Sequence, residues 1–247
     1  MRYTIIGDMH HRGEKYFEAI KAEFAPDVLI CLGDFDTNLA MDRYREVWAD
    51  TPQVIVPGNH DYTRWVYIGP MSFIAFRAEN VPEDHYTQVT GEIKRFLDNL
   101  FDPAGFQEAQ HGKQFFWDKA SFGEKYRALA IHGGLEGHAD LIAHEDAAEE
   151  IRNLWIYMKN AKAYQANIEA MTRLGYNLMF RGHDHRQACM FQAPDGKLGG
   201  YVPKPGKQFR LEPDHAYIIN SGALFQKEFA VIDTTAADVP MIEFYKL

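Results

Sequence analysis

The chain opens Arg2-Tyr3-Thr4-Ile5-Ile6-Gly7-Asp8-Met9-His10, a β-branched and aromatic run cut off by glycine and followed by an aspartate and a histidine two positions apart. Such a run predicts a strand with polar residues at its C-terminal end. The same arrangement returns twice: residues 27–32 end in Gly33-Asp34, and residues 53–56 end in Pro57-Gly58-Asn59-His60-Asp61. Between the first two strands Phe17, Ile20 and Phe24 form a helical stripe, and residues 39–48 are helix-compatible between the second and third. Strand–helix–strand alternation of this kind predicts an α/β fold built on a largely parallel sheet.

Outward from this frame, an aromatic-rich insertion runs from about 62 to 112, with one amphipathic helix carrying Ile93, Phe96, Leu97 and Leu100 on one face. Strands resume at 126–131, which ends in His132-Gly133-Gly134. A long helical stretch is predicted over 144–174, keeping Ile151, Leu154, Trp155, Met158, Ile168 and Met171 near one stripe. Residues 177–180 then end in Arg181-Gly182-His183-Asp184-His185, and short strand signals follow at 188–191, 208–211, 216–219, 229–232 and 241–245. The β-rich second half predicts a second sheet packed on the first.

At 247 residues, 46% hydrophobic and 25% charged, the composition is that of one globular domain, spanning 1–247 with the insertion inside it. No run approaches the ~20 apolar residues of a membrane helix, and the first residues lack signal-peptide anatomy, so a soluble, cytoplasmic protein is expected. Lys and Arg total 26 against 35 Asp and Glu, a net charge of −9. That field repels polyanions and argues against a nucleic-acid partner. Cys31 and Cys189 each sit inside an apolar run, as small buried hydrophobes do.

Five polar clusters fall at predicted strand ends: Gly7-Asp8-Met9-His10, Gly33-Asp34, Gly58-Asn59-His60-Asp61, His132-Gly133 and Gly182-His183-Asp184-His185. In open α/β sheets the crevice beyond the strand carboxyl ends binds ligands, so these residues can converge although far apart in sequence. Carboxylates, imidazoles and one amide oxygen suit borderline divalent cations such as Mn²⁺, Fe²⁺ or Zn²⁺. Two ions about 3.5–4 Å apart need a bridging ligand, and Asp34 is the candidate.

The ordered set GD-x-H, GD, GNH-D, a lone His before Gly, and GH-x-H resembles that of the calcineurin-like metallophosphoesterases, over about three quarters of the chain. The resemblance implies the two-sheet αββα sandwich of the metallo-dependent phosphatase fold. It implies a dinuclear centre in which Asp8, His10 and His185 hold one metal, Asn59, His132 and His183 hold the other, and Asp34 bridges. His60 would stand near the leaving-group oxygen as a catalytic residue, with Asp61 orienting its imidazole. The implied reaction is phosphoester hydrolysis by direct attack of a metal-bridging hydroxide, without a covalent phospho-enzyme and with Mn²⁺ the favoured ion.

The protein Ser/Thr phosphatase branch continues its second block with Asp-Arg-Gly, where this chain reads Gly33-Asp34-Phe35-Asp36-Thr37. The terminal His-x-His block instead resembles the phosphodiesterase-like branches, so small phosphodiesters, nucleotides among them, are the first substrate class. A phosphomonoesterase is the alternative and a non-catalytic scaffold on the same fold the more distant one. His11, Arg12, Arg64 and Arg186 lie beside the blocks and are candidate substrate-binding residues, the guanidinium groups for phosphoryl oxygens. Asp36 reads either as a carboxylate supporting a metal ligand or as a cap of the following helix, the commoner use. Asn220-Ser221-Gly222 resembles a small turn of the family with its order changed. Lys197, Lys204, Lys207 and Arg210 read as an exposed hairpin.

Overall fold

Parallel strands covered on both faces need near-continuous apolar sequence, and the first strands have it. β1 (Arg2–Ile6), β2 (Val28–Cys31) and β3 (Gln53–Ile55) pair in parallel, Ile6 opposite Cys31 and Cys31 opposite Ile55. Right-handed crossover geometry demands a connecting element on one face, supplied by α1 (Phe17–Phe24) and α2 (Asn38–Trp48). The computed structural model describes residues 1–10, 12–56, 58–61, 125–137, 153–235 and 238–247. The expected insertion at 62–112, with Arg64 and the helix around Phe96, lies outside them, as does His11.

The second half forms β4 (Ala128–Ala130), α3 (Ala161–Arg173), β5 (Leu178–Arg181), β6 (Gln187–Gln192), β7 (Leu198–Tyr201), β8 (Gln208–Arg210), β9 (Ala216–Ser221), β10 (Glu228–Asp233) and β11 (Met241–Lys246). One six-stranded sheet runs β3-β2-β1-β10-β11-β8; a five-stranded sheet runs β4-β5-β9-β6-β7. β4, β5 and β9 are mutually parallel, with Arg181 opposite Asn220 at the C-terminal edge.

Period-2 alternation then sorts the side chains into layers. Tyr3, Ile5, Ile30 and Leu32 of the first sheet meet Leu178, Phe180, Tyr217 and Ile219 of the second in one buried core between the sheets. Outward-facing Ile6, Leu29 and Cys31 pack on Phe17, Ile20, Met41, Tyr44 and Trp48 of α1 and α2. Leu129, Met179 and Ile218 pack on Ile168 and Met171 of α3. The result is the αββα sandwich expected of the family.

Two local expectations differ from what forms. The helical stretch predicted over 144–174 is α-helical only at 161–173 within its described part, with a short 3-10 turn at Asn153–Trp155: Asn160, extended at φ −151°, caps α3 by accepting from the Ala163 amide at 3.0 Å. Before it, the Ile156 carbonyl and Met158 amide bond to Arg181 and Asp184 instead of to a helix ladder. Conversely β7 forms despite its Gly199-Gly200 pair, because the Phe191 ring of β6 lies over Gly199, an aromatic covering a strand glycine. Lys197, Lys204, Lys207 and Arg210 are exposed on this β6–β8 side, as the sequence suggested.

Candidate metal centre

The C-terminal ends of both sheets turn inward to one place. Asp8 follows β1 and donates its amide to Gly33 O at 3.0 Å, while the His10 amide bonds Asp34 O at 2.8 Å, so the first two turns lock together. The sheets are joined there as well: the His183 amide donates to the Asp8 carboxylate at 3.0 and 3.1 Å, and His132 Nδ1 donates to Leu32 O at 2.6 Å.

These turns are conformationally costly. Asp8, His10, Asp34, Asp36, His183 and His185 all have φ between 47° and 69°, the left-handed region that costs L residues about 1–3 kcal/mol each. Six of the eight non-glycine residues with positive φ among the described residues are thus gathered at one site. Two glycines make the approach possible: a Cβ on Gly58 would overlap Asp34 Oδ1, and one on Gly182 would sit 2.7 Å from Asp8 Oδ2.

On one side, single ligand atoms of Asp8, His10, Asp34 and His185 all lie within 4.8 Å of one another. His10 Nε2 is 3.0 Å from His185 Nε2, which is 3.2 Å from Asp8 Oδ1. On the other side, His132 Nε2 is 3.0 Å from Asn59 Oδ1 and 3.3 Å from Asp34 Oδ2. The His183 ring stands 5.2 Å from that of His132, and its buried Nε2 has no hydrogen-bond partner.

The donor chemistry fits divalent cations. His132 gives its Nδ1 proton to a carbonyl, so in its neutral form the Nε2 lone pair would face Asn59 Oδ1 and Asp34 Oδ2, three donors that one intervening cation would satisfy. Burial, reinforced by the neighbouring His132, pushes His183 down to about 2, which keeps it neutral with its ligating lone pair available. In the metal-free protein burial disfavours a charged His132, but the carboxylates of Asp34 and Asp8 outweigh it and hold the imidazole up at about 9. Burial likewise works against ionised Asp34, and His132, His60 and His10 outweigh it, so Asp34 stays below the ordinary carboxylate range. A deeply buried carboxylate ringed by imidazoles is a site that a 2+ ion would complete.

All seven residues expected as ligands are therefore brought together. His60 lies beside them, 48% exposed at its side chain. The expected partnership of His60 with Asp61 is not what the structure has. Both Asp61 oxygens are occupied by backbone amides, those of Asp34 at 2.7 Å, Phe35 at 2.9 Å and Gly58 at 2.9 Å. His60 and Asp61 are consecutive residues in a helical turn, and consecutive helical residues do not face each other. Asp61 instead ties the second block to the third.

The imidazole's partner is Asp36, whose two oxygens take His60 Nδ1 at 2.6 Å and His10 Nδ1 at 2.8 Å. This hydrogen bond holds His60 up at about 9 against the opposing effect of burial. Asp36 does not cap α2; Thr37 does, its hydroxyl accepting from the Ala40 amide at 3.1 Å. The signal for this was Thr37 itself, a competent cap one residue nearer the helix. Asn220 also belongs to the site's frame, donating to Gly182 O at 2.8 Å and accepting from the Gly222 amide at 2.9 Å. Arg12 and Arg186 are exposed. Phe225 sets its ring edge-on to His10 and His185, with centroids 5.0 and 5.2 Å away.

The sequence profile of the calcineurin-like phosphoesterases matches residues 1–187. Comparison with curated protein sequences finds no match. Among solved structures, a metallophosphoesterase from Sphaerobacter thermophilus is similar at 19% identity and TM-score 0.58, covering 100% of this chain and 89% of that one. A novel archaeal phosphodiesterase is similar at 12% identity and TM-score 0.48, with 100% of both chains covered. Vps29 of Chaetomium thermophilum is similar at 12% identity and TM-score 0.44, with 94% and 80% covered. The profile takes in all five strand-end blocks from Gly7 to His185, and by that match this chain belongs to the calcineurin-like phosphoesterase family of metallophosphoesterases.

Proposed function

We propose that the centre is dinuclear, with Asp8, His10 and His185 on one ion, Asn59, His132 and His183 on the second and Asp34 between them, and that it hydrolyses small phosphodiesters, nucleotides among them. The observation that carries this is the position of Asp34: its Oδ2 lies 3.3 Å from His132 Nε2 and 4.0 Å from His10 Nε2, so one carboxylate oxygen belongs to both donor groups. When bound, divalent ions supply Lewis-acid charge to phosphoryl oxygens and a nucleophilic water at neutral pH. Mn²⁺ is our first choice for a mixed imidazole, carboxylate and amide set.

The chain's own residues do the rest. Asp8 and Asp34 bring −2 to a site suited to two divalent ions, which leaves it attractive to a phosphate anion inside an acidic protein. Asp36 fixes His60 through Nδ1 and favours its protonated form, the state from which it gives a proton to the departing alkoxide. Asp61 braces the backbone of the second and third blocks. The diester preference is supported by the terminal His183-Asp184-His185 block and by Phe35-Asp36-Thr37 in place of Asp-Arg-Gly. We place the protein in the cytoplasm, where Cys31 and Cys189, both buried and unpaired, stay reduced.

The test is the Mn²⁺-dependent hydrolysis of bis(p-nitrophenyl) phosphate beside p-nitrophenyl phosphate, with Asp34→Ala as control. Faster diester turnover, abolished in the control, is the expected result. Preference for the monoester would replace this reading by a phosphomonoesterase.

A further inference from the structure

Arg181 closes β5 and is wholly buried at 0% exposure, an unusual place for a guanidinium and one the reaction outlined above leaves unused. Its fork reaches three segments. Nε donates to Gly133 O at 2.6 Å, one nitrogen donates to Ile156 O at 3.0 Å, and the other pairs closely with Asp184. Asp184 in turn accepts from the Met158 amide at 3.3 and 3.4 Å. Each contact adjoins a residue of the centre. Gly133 follows His132, Asp184 stands between His183 and His185, and Ile156 to Met158 bracket Tyr157, whose ring lies 4.0 Å from that of His183.

A buried ion pair seldom adds net stability over an apolar pair of similar volume, because desolvating both charges offsets their attraction. Its use here is geometric. The turns carrying His132 and His183 hang from adjacent strands, and His183 and His185 hold strained positive φ. A planar, multi-donor group fixes such turns relative to one another; a lysine, with a single point charge, cannot bridge three acceptors in a plane.

We propose that Arg181 is a positioning residue which, with Asp184, holds the His132 and His183 turns at the separation needed to bind the second divalent ion. The inference rests on the two-metal reading given above. It extends the machinery to a pair of residues that never touch substrate or metal.

The experiment is a calorimetric Mn²⁺ titration of the full chain and three variants, with thermal unfolding of each metal-free protein. Arg181→Met with Asp184→Asn, which removes the charge pair, is expected to keep the metal-free unfolding temperature within a few degrees. It should weaken the second Mn²⁺ by about 10–100-fold, the usual cost of losing a group that orients a ligand. Arg181→Lys retains the charge and is expected not to restore that affinity. Asp184→Asn alone, at a partly exposed position, should weaken the same ion and serves if the double variant does not fold. Parent-like affinity for both ions in these variants, or rescue by lysine, would overturn the proposal. A parent that binds a single ion would instead overturn the two-metal reading.

Discussion

Replacing Asp36 by asparagine tests how the centre divides its labour. The carboxylate takes His60 Nδ1 at 2.6 Å and His10 Nδ1 at 2.8 Å, so one substitution weakens the proton donor and a metal ligand's support together. In the metal-free protein the His60 imidazole stands at about 9, raised from 6.5 chiefly by the Asp36 hydrogen bond, with the charge of Asp34 adding to it. The Asp36→Asn variant leaves only Asp34 to raise it, so the titration midpoint of His60, followed by NMR, should fall by at least about one pH unit.

The kinetic consequence depends on the leaving group. An alkyl ester needs a proton at the departing oxygen, whereas p-nitrophenolate leaves without one. At saturating Mn²⁺ the variant should lose about 10–100-fold in kcat on a phosphodiester whose leaving group is an unactivated alkoxide, such as methoxide. On bis(p-nitrophenyl) phosphate it should lose no more than about threefold, since general acid catalysis is then dispensable. Equal losses on the two esters would refute the reasoning and place Asp36 on the metal side alone, through His10. An unmoved His60 titration would refute the pairing itself.

Further expectations concern the frame and the charges. Gly58→Ala should fold yet lose at least about 100-fold in activity and bind Mn²⁺ weakly, because its Cβ would overlap Asp34 Oδ1; parent-like turnover would show that the turn yields. Metal-free protein should become less stable as pH rises from 6.5 to 9. His60 and His132 are raised to about 9 when folded, so their contribution is complete below 6.5 and lost as pH climbs through the folded value. His183, lowered to about 2, acts with the opposite sign only below 6.5. Unfolding temperatures measured in EDTA across that window should therefore drop, and a flat or rising profile would contradict the assignment of charges. Cys31 and Cys189 are fully buried, and burial pushes both thiols up, so neither should react with a thiol reagent before unfolding. Rapid labelling of the native chain would contradict their placement.

How much of this was legible in the sequence differs from residue to residue. The seven candidate ligands could be found because five of them sit beside a glycine after a strand that reads cleanly, with His10 and His185 two residues further on, and parallel strands deliver their C-terminal ends to one crevice whatever the intervening length. The second sheet was legible in the β-rich second half, whereas β5 and β9 are apolar at successive positions, so their sequence does not say which side chain faces which layer. Asp36 was ambiguous because caps and ligand supports draw on the same residue types, and only the Thr37 hydroxyl on Ala40 settles which residue caps. Asp61 was misread because adjacency in sequence suggested adjacency of side chains, which a helical turn forbids. Residues 154–158 carried an apolar stripe suited to a helix, yet the Ile156 carbonyl is bound by Arg181 and the Met158 amide by Asp184. That is a tertiary demand with no local signature, and it overrode the pattern.

The central claim is that two divalent ions share Asp34, and the most direct measurement is the low-temperature EPR spectrum of the chain loaded with Mn²⁺, with the bound metal counted on the same sample. The account predicts two ions per chain and the spectrum of an exchange-coupled pair, with coupling lost in Asp34→Ala. One ion per chain, or two with the spectrum of isolated Mn²⁺, would contradict it.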